Sequence, residues 1–304
     1  MIRPRIFLIL IALFARSLAA AQFTVGTYNL ELYLDAPSGT MRAKPDAAKA
    51  KLRETLKAMN VDVLAVEEMG SPAAFAEFTS SLKADGLDYP NTEYVQAADQ
   101  QLHLAILSRF PIVARRSHTN ESFLLNGRRG HVLRGFAEVD IQVGGSYQFT
   151  LLSAHLKSKR QVGYSDEEDL REQEALLLRE RIDTILTANP YANLIVLGDL
   201  NDFRDARSTR AIIGHGKNML IDTRPAERNG DSHAIANQPN AYRQITWTHF
   251  FAKEDTYARI DYILLSRGMA REWDPVGTYI PTLPNWGLAS DHRPLIAAFS
   301  TDDK

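Results

Sequence analysis

The stretch Ile195-Val196-Leu197-Gly198-Asp199-Leu200-Asn201 sets an apolar run against an abrupt polar end. A short apolar run of this length, bounded by Gly, reads as a buried strand. Asp199 and Asn201 stand two residues apart, so in extended backbone they face the same way. Ahead of this strand, Asp166 to Ala188 reads as the longest helix. Leu170, Leu177, Leu178, Ile182, Ile185 and Leu186 recur in it at helical spacing, and Pro190 stops it.

The same alternation of strand and helix extends in both directions. Upstream, strands are expected at Phe23–Leu30 and Val61–Val66, and helices at Pro45–Met59 and Pro72–Ala84. Further strands follow at Glu93–Ala97, Leu102–Ser108 and Ile112–Arg116. Val132–Val143 and Tyr147–His155 are separated by Gly144-Gly145-Ser146, a hairpin signal. Downstream come a helix at Ala206–Ile213, a polar loop over 223–243, and strands at Ile245–Phe251, Arg259–Leu265, Gly277–Ile280 and Leu295–Phe299. Strands in both halves, each set interrupted by helices, point to an α/β fold of two packed sheets with helices outside.

Composition narrows the chemistry. The 304 residues include no Cys, which excludes disulfides, thiol catalysis and Cys-zinc sites. G-x-S-x-G and H-E-x-x-H are absent. The formal charge is −2, so net charge gives no argument for nucleic-acid binding. Arg3 and Arg5 precede the apolar run Ile6–Ala15, and Ala19-Ala20-Ala21 ends the segment in an A-x-A pattern. This is the pattern of a secretory signal peptide over residues 1–21, too short to span a bilayer. The expectation is a secreted or periplasmic protein without stable membrane insertion, its single domain covering residues 22–304.

Acids, amides and histidines stand where the apolar strands stop. Asn29 ends the first strand, Glu67-Glu68 the second, and His155 the strand from Tyr147. Asp261 sits within an apolar strand between Ile260 and Ile263, where an unpartnered carboxylate is costly to bury. Asp291-His292 opens the last strand. Taken singly, an Asn or Asp after a strand is an ordinary turn or cap residue. Six such placements in one chain point to a shared site. Strand alternation turns Glu67 and Glu68 to opposite faces, so one of them is expected to reach the site and the other to be a surface group. Glu68, Asp199 and Asp291 offer hard oxygens suited to Mg²⁺ or Mn²⁺. With amides and a His held by an Asp, the set fits hydrolysis at phosphorus.

The ordered segments Thr27-Tyr28-Asn29-Leu30, Asp62 to Glu68, Ala154-His155-Leu156, Gly198-Asp199-Leu200-Asn201, Ile260-Asp261-Tyr262-Ile263 and Ser290-Asp291-His292-Arg293-Pro294 resemble the endonuclease/exonuclease/phosphatase superfamily, the deoxyribonuclease I-like fold. They span residues 23–299. The resemblance implies a four-layer α/β/β/α sandwich. It implies Glu68 as the main metal ligand, with Asn29 and Asp291 completing the metal region. It implies His155 on the phosphate, Asp199 and Asn201 as the proton-handling and transition-state-stabilising pair, and Asp261 orienting a His292 that acts on water. The chain departs from the family pattern with Glu67 where Gln is common and Leu200 where Phe is usual.

The superfamily takes several substrates, so the fold does not choose one. Lys157 and Lys159 follow His155 directly, and Arg134 ends a second basic stretch from Asn126 to His131. These residues are expected to grip phosphates beyond the scissile one, and Trp286 to stack on a base. The expectation is an exported monomeric phosphodiesterase acting on nucleic acid. A phosphatase, a lipid-headgroup phosphodiesterase (sphingomyelinase- or inositol-phosphatase-like) and an inactive binding protein on the same fold are the alternatives. An exposed aromatic hairpin, which would favour a lipid substrate, is not evident in the sequence.

Overall fold

The computed structural model describes residues 21–228 and 244–302. Residues 1–20, which carry most of the expected signal peptide, and residues 229–243 of the expected polar loop lie outside them. The described chain opens with β1 (Gln22–Tyr33), α1 (Asp46–Met59), β2 (Val63–Met69), α2 (Pro72–Ala84), β3 (Asn91–Val95) and β4 (His103–Ser108). Then come β5 (Ile112–Arg115), β6 (Ser122–Leu125), β7 (Arg128–His131), β8 (Phe136–Val143), β9 (Tyr147–Ala154), α3 (Glu167–Ala188), β10 (Leu194–Asp199) and α4 (Arg207–Ile213). The last strands are β11 (Ile221–Asp222), β12 (His249–Phe251), β13 (Thr256–Ala258), β14 (Asp261–Leu265), β15 (Trp273–Tyr279) and β16 (Leu295–Ser300).

Two sheets of six strands form among the described residues, in the orders β15-β16-β1-β2-β4-β3 and β11-β14-β10-β9-β8-β5. Each contains one parallel pair, β1 with β2 and β9 with β10. Alternation along the strands builds the layers. Phe23, Val25, Val63, Ala65 and Ile106 face Val139, Phe149, Leu151, Ile195, Leu197 and Ile263 across the gap between the sheets. Full burial of each large side chain here contributes about 1.5–3 kcal/mol. The opposite face of the first sheet, with Tyr28, Leu64 and Val66, is covered by Leu52 and Leu56 of α1 and Phe78 and Leu82 of α2. The outer face of the second, with Leu152, Val196 and Leu264, is covered by Leu178, Ile182 and Leu186 of α3. The result is the expected α/β/β/α sandwich.

Helix starts follow local chemistry. Ser71 caps α2 through the Ala74 N–H, with Pro72 in the first turn. Asp166 caps α3 through the Glu168 N–H, and Glu167, Glu168 and Asp169 fill its first turn, where the helix dipole favours negative charge.

Two hairpins differ from the expectation. The Asn126-Gly127 pair, both at positive φ, turns β6 into β7; this is a strong two-residue hairpin signal that the sequence reading passed over. The strand expected from Val132 begins instead at Phe136, after Gly135 at φ 66° breaks the run. The stretch expected as a strand from Ile245 is extended only from His249, and it pairs with β13 in a second hairpin. That hairpin is aromatic and exposed, with Phe251 and Tyr257 at 41% and 56% exposure. Its tip, Lys253-Glu254-Asp255, is charged. No helix among the described residues is long and apolar enough to cross a membrane.

Gly198 shows how tightly the site strand is held. It sits at φ 125°, and a Cβ there would collide with the Ala154 carbonyl oxygen of the neighbouring strand. We expect Gly198→Ala to cost about 3 kcal/mol or more, measured by denaturant unfolding. Gly145→Ala, in open space at the β8–β9 turn, serves as the control and is expected within about 1 kcal/mol of the parent.

Candidate active site

The ends of β1, β2, β9 and β10 and the starts of β14 and β16 meet at one edge of the sandwich. β10 ends in Asp199, which is almost fully buried. Its Oδ2 accepts hydrogen bonds from Asn29 Nδ2 at 3.1 Å and Asn201 Nδ2 at 3.3 Å. Nε2 of His155 lies 3.4 Å from the same oxygen, and Nε2 of His292 lies 3.7 Å away. Oδ1 accepts from the Asn201 backbone N–H at 2.8 Å. Burial pushes this carboxyl up to about 7, against the favourable charge of His292.

The two histidines are in opposite states. Burial drives His155 well below its ordinary pKa, so its ring is neutral. Burial alone would do the same to His292, but the Asp261 and Asp199 carboxylates outweigh it and hold the ring as an imidazolium. Nδ1 of His292 stands 2.9 and 3.2 Å from the two Asp261 oxygens. Asp261 is fixed in turn. Thr248 Oγ1 accepts its backbone N–H and that of Ile260, both at 3.1 Å.

On the other side, Asn29 Nδ2 reaches Glu68 Oε1 at 3.4 Å, and the Leu32 N–H donates to Glu68 Oε2 at 2.9 Å. Glu31, Glu68 and Asp291 gather here. Burial and then repulsion from Asp291 raise the Glu31 pKa, while Lys44 opposes the rise. Three carboxylates share this one ammonium, whose Nζ lies 3.6 Å from Glu31 Oε2. Among the described residues, the groups whose ligand atoms lie close enough to share one ion are His249, Asp291 and His292, and Asp199, Asp261 and His292; Glu31 and Glu68 add hard oxygen beside them.

Glu67 departs from the expectation. It is fully buried between the sheets, with the Thr27 hydroxyl donating to its Oε1 at 2.7 Å. Burial holds its pKa well above the usual carboxylate range, against the Thr27 hydrogen bond. The alternation rule failed because Glu68 sits at φ 59°, and the pairing of β2 slips there against both β1 and β4. The slip turns both glutamates to the inner side, one above the other. Glu31, Leu32 and Asn201 also take positive φ. Backbone strain of this kind concentrates at functional sites.

The structure thus brings Asn29, Glu68, His155, Asp199, Asn201, Asp261 and His292 together, with Asp291 in the adjoining carboxylate group. The basic residues are placed differently from what their spacing suggests. Lys157 is buried, its Nζ donating to the Ser158 and Arg160 carbonyls at 2.7 and 2.6 Å. Arg134 is buried against Asp99 and the Leu156 carbonyl. Both brace loops. Lys159 is exposed, 3.7 Å from Asp202 Oδ1 and over the Phe203 ring. Trp286 lies half-buried against Trp247, ring centroids 5.3 Å apart. Arg128 and Arg129 of β7 are exposed. Sequence reasoning missed Thr248, Glu31 and His249, which stands beside Asp291 and His292. A polar residue next to Trp247 in an otherwise aromatic stretch was the available signal.

The profile of the Endonuclease/Exonuclease/phosphatase family matches residues 26–292. No curated protein sequence matches the chain. Among solved structures, the human Nocturnin catalytic domain is similar at TM-score 0.62 and 16% identity, over 92% of this chain and 94% of that one. Truncated TDP2 of Caenorhabditis elegans gives 0.58 and 18%, over 92% and 98%. Sphingomyelinase C from Streptomyces griseocarneus gives 0.56 and 19%, over 92% and 100%. At these identities the likeness establishes the fold.

The Asp261–His292 pair is expected to act as a unit. Asp261→Asn or His292→Ala alone should lower kcat by about 10²–10⁴-fold, and the double variant by little more than either. The check is a double-mutant cycle on kcat. Losses that multiply would show two independent residues.

Proposed function

The chain belongs to the endonuclease/exonuclease/phosphatase family, and we propose that it is an exported, monomeric, divalent-metal-dependent phosphodiesterase that acts on nucleic acid. The observation that carries the hydrolytic reading is the convergence of Asn29, His155, Asn201 and His292 on one oxygen of Asp199, beside the carboxylates of Glu31, Glu68 and Asp291. Export is supported by the signal-type segment at residues 1–21.

Glu68 and Asp291, with Asn29 beside them, would hold Mg²⁺ or Mn²⁺. Such an ion supplies charge neutralisation to phosphoryl oxygens. The chain's own groups do the rest. Asp199, with a pKa of about 7, is the proton acceptor poised nearest neutrality. It takes the proton of the water that bonds to phosphorus while the ester bond to the leaving oxygen breaks, and that oxygen takes its proton from solvent water. His292, held as an imidazolium by Asp261, steadies the negative charge that gathers on the phosphoryl oxygens. This reading moves the base role from His292 to Asp199, because an imidazolium has no lone pair with which to accept a proton. Neutral His155 and the Asn201 amide orient Asp199 and the phosphoryl group from the second sheet.

Nucleic acid as substrate is supported by the β6–β7 arm. It leaves and rejoins the second sheet near the His118–Phe136 bridge. That is the end of the sheet where Phe136 pairs with Ala154, next to His155. Its exposed Arg128 and Arg129 suit a phosphate backbone running past the site. A second reading, a lipid-headgroup phosphodiesterase, draws support from the exposed Phe251 and Tyr257 of the aromatic hairpin next to His292.

Hydrolysis of plasmid DNA, RNA, sphingomyelin vesicles, an inositol phosphate and a small aryl diester, with and without Mg²⁺ and Mn²⁺, tests the reading. We expect cation-dependent cleavage of nucleic acid and of the diester, abolished in Glu68→Gln with the fold intact by circular dichroism. Preference for sphingomyelin vesicles would establish the second reading. Absence of any hydrolysis would leave a binding protein.

The arm makes a separate expectation. Arg128→Ala with Arg129→Ala should raise KM for long nucleic acid, leave the small diester unaffected, and reduce the salt slope by roughly two units. An unchanged slope would assign both arginines to solvent.

A further inference from the structure

One imidazole at the site is unused by the chemistry above. His249 opens β12, and its backbone is fixed on both sides. It bridges His292 in antiparallel register, the Phe250 N–H donates to the Asp291 carbonyl at 2.9 Å, and the Thr248 N–H donates to the Ala258 carbonyl at 2.8 Å. The ring lies tilted against that of His292, with centroids 4.6 Å apart. Its Nε2 stands 3.6 Å from Oδ2 of Asp291.

That separation is beyond an ordinary hydrogen bond. It fits two ligands of one ion instead. Donors bound about 2.0–2.2 Å from a cation stand about 3–3.6 Å apart, depending on the angle between them. Among the described residues, the Asp291 carboxylate is the charged group that the ring of His249 faces. The neighbouring imidazole is committed elsewhere, with Nδ1 of His292 on Asp261 and Nε2 facing Asp199. His249 is therefore the ring whose nitrogen is available toward the carboxylate group. Its side chain is sheltered, at 18% exposure, while that of Asp291 is open to solvent at 41%.

We propose that His249 and Asp291 together ligate a divalent cation, and that the nitrogen donor biases this position toward Mn²⁺, Co²⁺ or Zn²⁺ over Mg²⁺. The proposal rests on the reading that the site works with a divalent ion. Imidazole suits borderline transition ions, whereas Mg²⁺ strongly prefers oxygen. The oxygen-only set expected from the sequence contained no such discrimination. One imidazole in the coordination sphere changes the order of affinities without changing the charge of the site.

The experiment uses the full chain loaded with Mn²⁺, with metal content counted by continuous-wave EPR and nitrogen ligation read by pulsed EPR. In the parent protein we expect hyperfine coupling to a directly bonded ¹⁴N. In His249→Gln, folded by circular dichroism, the coupling disappears. Calorimetric titration should then show Mn²⁺ affinity reduced by about 10–100-fold and Mg²⁺ affinity by less than about threefold. Bound Mn²⁺ without nitrogen coupling in the parent overturns the proposal while leaving the metal-dependent reading intact. Coupling that persists in His249→Gln does the same, since another ring then supplies it. Equal losses for the two ions would show that His249 only steadies Asp291, and that also overturns it. Failure of the parent to bind any divalent ion would remove the underlying reading as well.

Discussion

The edge of this sandwich is organised around one buried oxygen. Asp199 Oδ2 sits between two sheets, largely shielded from water, where a bare carboxylate would cost several kcal/mol. The protein meets that cost with two amides and two imidazoles brought from β1, β9, β10 and the approach to β16. The two amides donate to it directly, and the two imidazoles stand close by at 3.4 and 3.7 Å. The same enclosure lifts Asp199 to about 7, which makes it useful at neutral pH. Stability and reactivity at this edge thus come from the same contacts.

The asymmetry between the two histidines follows from this arrangement. His155 has carboxylates at 3.4 and 4.0 Å, yet burial and the positive charge of Arg134 and His292 keep it neutral. His292 has Asp261 in direct contact and Asp199 behind it, so it carries the charge. Thr248 contributes by turning two backbone N–H groups into fixed points for the start of β14. A further brace lies beyond Asn201. The buried Asp202 ties Arg171 of α3 and Ser208 of α4 to the end of β10. The helices therefore hold the site strand from outside as the inter-sheet core holds it from within.

Much of this was legible in the sequence, because strand periodicity and polar strand ends are local signals. The α2 range was read to the residue, and the strands carrying Asn29, His155, Asp199 and Asp261 fell where expected. What escaped depended on geometry that periodicity does not encode. Glu67 and Glu68 share one side because a single left-handed residue cancels the alternation. Lys157 reads as a free base in one dimension, but its stem folds back onto two carbonyls. His249 is one polar letter among aromatics, and only the pairing of β12 with the approach to β16 sets it against Asp291. The β6–β7 hairpin was announced by Asn126-Gly127 and passed over because its flanking residues do not alternate cleanly.

The two halves of the site arise from different sheets. Asn29 and Glu68 ride on the first, and His155, Asp199 and Asp261 on the second; the inner faces are joined by side-chain packing, with backbone bonds such as Phe250 N–H to the Asp291 carbonyl added at the rim. The reacting geometry is therefore a vernier on that packing, in which a slight slide of one layer past the other displaces every cross-sheet distance at once. Interior residues such as Phe23 and Phe149, stacked with centroids 5.1 Å apart, calibrate an instrument whose scale is read elsewhere. A change of volume on one inner face is therefore felt at the site even where it touches no site residue, and only the facing sheet can absorb it.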